Sequence, residues 1–305
     1  VKGPHGAVVQ TPGNFVGTYG TLTLNANGSY TYTLSAEGQA AIDALAPGET
    51  LEDSFDYALI DGDGDVDPAT LTITLNGTDD PPLITNLTPS LQGGDAVVDE
   101  DDLPDGSDTT KESLTVTGNF TISAPDGVND LTVEGIAVIV DGVFQVGATG
   151  TTPLGNTITF TGYNAATGVV SYSYTLEDNE EHANANGQND LFDDLSVTLT
   201  DTDNDVDTDT LSVRIIDDVP TANNDTDAIV EGGPSTIEGN VITGAGTNGG
   251  TAGPGVDVLG ADGAVVQNPG VYVGSFGTLT LNANGSYSYT LSGGGQTALE
   301  AVTQG

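Results

Sequence analysis

Two short acidic segments contain the residues best suited to chemistry in this chain. Each segment, DGDGDVD at 61–67 and DTDNDVD at 201–207, places an aspartate at every second position. Carboxylates ~5 Å apart repel one another by roughly 3 kcal/mol per pair at an effective dielectric constant near 20. The charge therefore requires a bound cation, a basic partner or exposure to salty water. The acidic residues of the two segments are Asp61, Asp63, Asp65, Asp67, Asp201, Asp203, Asp205 and Asp207.

The composition narrows the choice of partner. The chain of 305 residues has 45 acidic residues against 3 basic ones, and its formal net charge is −42. Nucleic acid is excluded as a partner because a phosphate backbone requires clusters of Lys and Arg, and anionic membrane surfaces are disfavoured for the same reason. Asp outnumbers Glu, and the excess lies in Gly-rich loops, where a short side chain holds its oxygens close to a turn. This pattern favours coordination of a hard cation such as Ca²⁺.

The chain contains no cysteine, so neither disulfides nor thiolate chemistry contribute to it. No run of 18 apolar residues occurs, and no membrane insertion is expected. These features are compatible with a bacterial surface protein that is stabilised by metal rather than by disulfides.

An internal repeat dominates the sequence. Residues 6–34 and 263–291 are identical at 23 of 29 positions, with an offset of 257 residues. A unit of this length is too long for a single small sandwich and suits two. We expect the chain to be a window on a longer repeat polypeptide, cut within one sandwich at each end.

Short alternating strands separated by Gly, Asn and Asp turns predict an all-β fold of tandem immunoglobulin-like antiparallel β-sandwiches in an elongated chain. TLTLNANGSYTYTL predicts a hairpin around Asn27-Gly28, and SAEGQAAIDALAPG is the one segment expected to be helical. Acidic junctions that contain proline predict three domains: 1–80, the C-terminal part of one sandwich repeat; 81–218, a complete larger repeat; and 219–305, the N-terminal part of the next copy.

Several of these segments together resemble the repeats of giant bacterial adhesins exported by type I secretion. GTLTLNANGSYTYTL and DGDGDVDPATLTITLNGTDDPP are similar to VCBS-type repeats, and LSVTLTDTDNDVDTDTLSVRIIDDVPTANND resembles a larger bacterial immunoglobulin-like repeat. The glycine-rich nonapeptide of RTX proteins is absent from this sequence. The resemblance implies an extracellular calcium-stiffened stalk that acts in attachment or in a biofilm matrix.

The acidic loops are not EF-hands, because the twelfth position holds Thr72 or Ser212 instead of a bidentate Glu, and the flanks read as strands. A loop that enters the last strand of a sandwich lies at the pole facing the preceding domain. We therefore expect the loop at 201–207 to share a calcium ion with Asp79 and Asp80. Further expected ligands at domain junctions are Asp217, Asp218, Asn224 and Asp225.

Other polar groups are given simpler roles. The segment EDNEEH, which includes His182, is expected to be a solvated loop. His5 has no counterpart in the second copy of the repeat, where Asp262 occupies the equivalent position. With two histidines and no G-x-S-x-G motif, catalysis is not expected. The favoured function is a structural extender whose partners are the neighbouring repeats and other copies in a fibre. The alternative is a calcium-dependent module that binds a surface glycan or a protein receptor.

Overall fold

The computed structural model describes residues 6–183 and 187–302, and these ranges are almost entirely β-structure. The strands fall into three groups, and every strand pairing within the described ranges joins members of the same group. We name them the N-terminal, central and C-terminal groups. The predicted all-β fold is confirmed, whereas the domain boundaries at 80/81 and 218/219 stay predictions.

The N-terminal group forms two three-stranded sheets, with strand orders β1-β5-β6 and β2-β3-β4. The hairpin expected around Asn27-Gly28 is β3–β4, in which Leu22 pairs with Tyr32. A small core of Val9, Leu22, Leu24 and Phe55 lies between the sheets. The elements are β1 (Val8–Val9), β2 (Gly13–Val16), β3 (Gly20–Leu24), β4 (Tyr30–Leu34), α1 (Ala36–Asp43), β5 (Thr50–Ile60) and β6 (Val66–Asn76).

The central group is the largest sandwich. A six-stranded sheet, β12-β11-β10-β16-β17-β8, packs on a five-stranded sheet, β13-β14-β15-β9-β7. Its elements are β7 (Leu83–Thr85), β8 (Ala96–Asp99), β9 (Thr115–Ser123), β10 (Val128–Val133), β11 (Ile136–Val140), β12 (Val143–Phe144), β13 (Thr149–Thr151), β14 (Thr157–Asn164), β15 (Val169–Thr175), β16 (Asp190–Asp201) and β17 (Val206–Ile216), with single 3-10 turns at Ser90–Gln92 and Glu100–Asp102.

Alternation of apolar and polar residues builds the central core, because successive side chains of a strand point to opposite faces. In β15, Val170, Tyr172 and Tyr174 are all buried, and they alternate with partly exposed residues. They pack against Phe120 and Phe160 in one continuous core between the two sheets. β8 pairs with β17 in parallel, whereas the other strand pairs of this group are antiparallel.

The C-terminal group forms one sheet with the order β18-β21-β20-β19. One face of this sheet borders an open apolar cavity of about 560 Å³, which is partly lined by Leu279 and Tyr289. The equivalent residues in the N-terminal group, Leu22 and Tyr32, pack with Phe55 of β5. The elements are β18 (Thr236–Asn240), β19 (Gly270–Val273), β20 (Gly277–Leu281), β21 (Ser286–Leu291) and α2 (Gly293–Val302).

The expectation of a single helix was wrong, because α2 occupies the position equivalent to α1. Three consecutive glycines begin α2, so residue propensities do not predict this helix, since Gly disfavours a helix by ~1 kcal/mol per residue. The N-terminal cap explains its formation: Gly295 N donates to Ser292 Oγ at 3.0 Å, as Gly38 N donates to Ser35 Oγ in α1. Neither helix is long and apolar enough to cross a membrane.

Candidate metal centres

The two acidic segments are the turns of long hairpins, and they fold in the same way. The loop at 61–67 joins β5 to β6, and the loop at 201–207 joins β16 to β17. In each, the first aspartate accepts a hydrogen bond from the amide four residues later, Asp65 N to Asp61 Oδ1 at 2.9 Å and Asp205 N to Asp201 Oδ1 at 2.8 Å. The fourth residue is Gly64 or Asn204, both with positive φ. Gly and Asn tolerate this conformation, so the sequence pattern fixes the turn.

The loop at 201–207 meets the connection between the N-terminal and central groups. Carboxylate oxygens of Asp79, Asp203 and Asp205 lie within 4.8 Å of one another. Asp203 also belongs to a second set of three, with Asp126 and Asp201, which meets the same limit. The predicted proximity of this loop to Asp79 is therefore present, and we name these five residues the first junction cluster.

Two of the expected ligands do not bring their carboxylates into this cluster. Asp80 contributes its backbone, since Asp80 N donates to Asp126 Oδ2 at 3.1 Å. Asp207 Oδ2 accepts from Ile84 N at 2.6 Å and so holds the start of β7. Asp80 thus fastens the connection to the central group, and Asp207 fixes β7 within that group, but neither carboxylate joins the acidic cluster.

The inner part of the first junction cluster has unsatisfied acceptors. Asp126 and Asp201 are buried, and Asp203 is partly buried. Each has a buried carboxylate oxygen without a hydrogen-bond partner: Asp126 Oδ1, Asp201 Oδ2 and Asp203 Oδ1. Buried polar atoms are nearly always paired, and a cation is one group that could satisfy three such oxygens in one place. An all-oxygen donor set of this kind suits Ca²⁺.

Mutual repulsion perturbs the same cluster. A hydrogen bond and the charge of the Asp205 carboxylate raise the pKa of Asp79. A hydrogen bond to Asp201 likewise raises the pKa of Asp203, and burial adds to the effect. Each group therefore resists ionisation beside its neighbour, which a bound cation would reverse.

The loop at 61–67 forms a more exposed group. Oxygens of Asp61, Asp63 and Asp65 lie within 4.8 Å of one another. The hydrogen bond from Asp63 is the main cause of the lowered pKa of Asp61. Asp67 lies outside this set, on an exposed position of β6 opposite Leu59. Within the described residues, no acidic group from another strand group completes this set.

The expected ligands after β17 have separate environments. Asp218 is buried and accepts from Ser107, with Ser107 N at 2.7 Å from Asp218 Oδ2. Asp217 lies within 4.8 Å of ligand atoms of Glu100 and His182. Asn224 is exposed, and Asp225 lines the apolar cavity of the C-terminal group instead of joining Asp217. Burial raises the pKa of Asp225, and the nearby Asp257 carboxylate adds to this.

Sequence reasoning missed the acidic residues that precede β9. Asp101, Asp102 and Asp108 bring oxygens within 4.8 Å of one another, and Glu100 is fully buried. The signal was available, because residues 99–108 are as rich in acid as the two hairpin loops. The expectation of a solvated loop was wrong for His182, whose side chain is only 4% exposed and contacts Glu100, whereas Glu177, Asp178 and Glu181 of the same segment are exposed. His5 lies outside the described residues.

Part of the chain is similar in sequence to the bacterial cadherin-like domain. Residues 3–77 match the profile of the bacterial cadherin-like domain. The calcium-binding lectin RapA2 of Rhizobium johnstonii is 30% identical over 174 residues, which cover 55% of this chain and 70% of the lectin. The chain belongs to the family of bacterial adhesin-type proteins that includes this lectin.

Solved structures of cadherin ectodomains are also similar to this chain. Protocadherin gamma C5 EC1–3 is 9% identical and has a TM-score of 0.32, with 89% of this chain and 75% of that chain covered. Mouse clustered PcdhgC3 EC1–3 is 10% identical with a TM-score of 0.29, and the coverage is 93% of this chain and 88% of that one.

Proposed function

We propose that the chain is a calcium-stiffened extender segment of a large bacterial surface or biofilm-matrix adhesin, exported by type I secretion. The observation that carries this proposal is the first junction cluster. It takes Asp79 from the connection and Asp203 from the central sandwich, and its buried oxygens lack partners. A calcium ion at this position would tie the connection to the sandwich and remove the main hinge between two strand groups.

Chelation is expected to loosen the junction before the sandwiches unfold, because a linker has little core of its own. The test is small-angle X-ray scattering of the full chain during a calcium titration. Calcium should narrow the distribution of intramolecular distances, and chelator should broaden it while the circular dichroism of the strands is retained. Scattering that is indifferent to excess chelator would refute the proposal.

A pair of variants makes this test specific. Asp203→Asn removes the carboxylate that both sets of the first junction cluster share. Asp63→Asn removes an equivalent carboxylate from the exposed loop at 61–67 and serves as the matched control. Only the Asp203 variant should keep a broad distance distribution when calcium is present.

A second candidate function is a calcium-dependent module that binds a carbohydrate or a protein. It is supported by the relative described as a calcium-binding lectin. The two functions differ in their partners, since the extender contacts neighbouring repeats and other copies of the fibre. A glycan array probed with the full chain, with and without calcium, separates them: calcium-dependent binding to a defined glycan favours the lectin function. Neither function requires catalysis.

A further inference from the structure

A second cluster lies at the opposite end of β17, and it contains a histidine. Ligand atoms of Glu100, His182 and Asp217 lie within 4.8 Å of one another. The side chain of Glu100 is 0% exposed and that of His182 is 4% exposed. β17 spans 11 residues, or roughly 36 Å at ~3.3 Å per residue, so this cluster is separate from the first junction cluster.

The ring of His182 is oriented by Asn189. The Asn189 amide nitrogen donates to the carbonyl oxygen of Ala183 at 2.9 Å, which turns the amide oxygen towards the imidazole. That oxygen lies 2.9 Å from His182 Nδ1. Because an amide oxygen only accepts, Nδ1 must carry the proton. In the neutral ring, Nε2 then presents its lone pair to the cluster.

This lone pair has no partner within the described chain. His182 Nε2 is buried without a hydrogen bond, although Glu100 Oε1 is 3.2 Å away. A proton on Nε2 would therefore not point at the carboxylate, and a simple His–Glu ion pair does not satisfy the ring. Glu100 Oε1 is already held by Glu180 N at 2.6 Å. The unpartnered nitrogen and the buried carboxylates converge on a space suited to a cation.

The donor set decides which cation fits. Ca²⁺ takes oxygen ligands, whereas Zn²⁺ takes imidazole nitrogen together with carboxylate oxygen and often has three protein ligands and a water. A zinc-binding histidine usually donates its other N–H to an oxygen that fixes the ring, which is the relation of His182 to Asn189. We propose that Glu100, His182 and Asp217 form a zinc site, with Asn189 as a positioning residue.

The site would also stabilise the second junction, which is the contact between the central and C-terminal groups. The Asn179 amide donates to Asp262 Oδ1 across the boundary between the central and C-terminal groups. Asn179 directly precedes Glu180, whose amide donates to the proposed ligand Glu100. Zinc bound to Glu100 would fix this segment and so help to hold the C-terminal group in place. The two junctions would then respond to different metals.

The test is a titration of the full chain with Zn²⁺ in a large excess of calcium, which occupies the all-oxygen sites. Co²⁺ serves as an optical probe, because a nitrogen-containing site of low coordination number gives visible absorption bands that zinc removes by competition. His182→Gln should weaken zinc binding by more than the roughly 10- to 100-fold expected for loss of an outer partner, and Asn189→Ala by about 10-fold. The other histidine supplies the matched control, since His5→Gln should bind zinc as the parent chain does.

A measurement on the unsubstituted chain covers the case in which a variant does not fold. With ¹⁵N-labelled histidine, zinc should shift the Nε2 resonance of one of the 2 imidazoles. The spectrum of His5→Gln assigns this resonance, because only the signal of His182 remains in it. Absence of this shift, equal zinc affinity of the His182 and His5 variants, or displacement of zinc by calcium would each overturn the proposal. Such a failure would leave the calcium proposal intact, because that proposal rests on the first junction cluster.

Discussion

Replacing Asp201 with Asn should make the protein more stable without calcium and less responsive to calcium. Asp201 is fully buried, and one of its oxygens accepts from Asp205 N, a bond that the Asn oxygen can keep. Its other oxygen is unpartnered and lies in the first junction cluster with Asp126. The substitution therefore removes charge from the cluster while preserving the turn.

The magnitude follows from the separation of the two buried carboxylates. Oxygens of Asp126 and Asp201 lie within 4.8 Å, which at an effective dielectric constant near 20 corresponds to a repulsion of about 3.5 kcal/mol. The variant loses this repulsion in chelator. The parent chain instead gains ~2.7 kcal/mol from calcium at 100 times its Kd, a gain that the variant largely forfeits. At ~3 °C per kcal/mol, the Tm in chelator should rise by up to roughly 10 °C.

The assay is thermal unfolding followed by circular dichroism, in chelator and in saturating calcium. The calcium-induced rise in Tm should be much smaller for Asp201→Asn than for the parent chain. Asp209→Asn is the control, because Asp209 is an exposed residue of the adjoining strand outside the candidate clusters. Equal destabilisation of Asp201→Asn in both buffers would show that the carboxylate acts only through hydrogen bonds, and would refute the reasoning.

Three further outcomes are expected. Gly118→Ala should lower the free energy of unfolding by ~1–3 kcal/mol in denaturant titrations, because its Cβ would overlap the buried Tyr172 ring, whereas Gly162→Ala, which meets no neighbouring atom, should change it little. Burial would raise the pKa of Asp53, but hydrogen bonds, led by that from Tyr32, lower this pKa overall. The ionised Asp53 therefore stabilises the fold above the unfolded pKa near ~3.9, and this stabilisation is lost as the pH falls further. Acid unfolding of Asp53→Asn should lack this pH-dependent loss of stability. Burial and the Asp99 charge raise the pKa of Asp101 to about 6, so in chelator its contribution to stability should grow as the pH falls from 7 through about 6, a trend that is absent in Asp101→Asn when Tm is followed against pH.

Local patterns in the sequence predicted much of the fold. Strict alternation marked β15 and the β3–β4 hairpin, because a half-buried strand must place apolar side chains at every second position. The prediction of these two strands was correct even though the turn between them is longer than two residues, since Asn25 N donates to Ser29 O. The helix α2 was not predicted, because a serine cap, rather than residue propensity, sets its start.

The candidate site was only partly predictable. The order of strands in a sandwich places the loop at 201–207 beside Asp79, and this follows from antiparallel topology alone. The topology does not say whether Asp80 offers its carboxylate or its amide, since that depends on side-chain rotamers. Asp126 and Glu100 were missed because each meets its cluster through contacts distant in sequence. His182 was misjudged because a polar loop gives no sign that another segment covers it.

The position of β17 has a mechanical consequence. This strand begins beside the first junction cluster and ends at Ile216, directly before Asp217, so a pulling force applied across the central sandwich is directed along it. β17 is paired with β16 over its full length and with β8 in parallel over Val213–Ile216. Its hydrogen bonds lie across the direction of pull and are loaded together in shear, whereas peeling a hairpin would break them one after another. The sandwich should therefore resist tension better than its thermal stability alone would suggest.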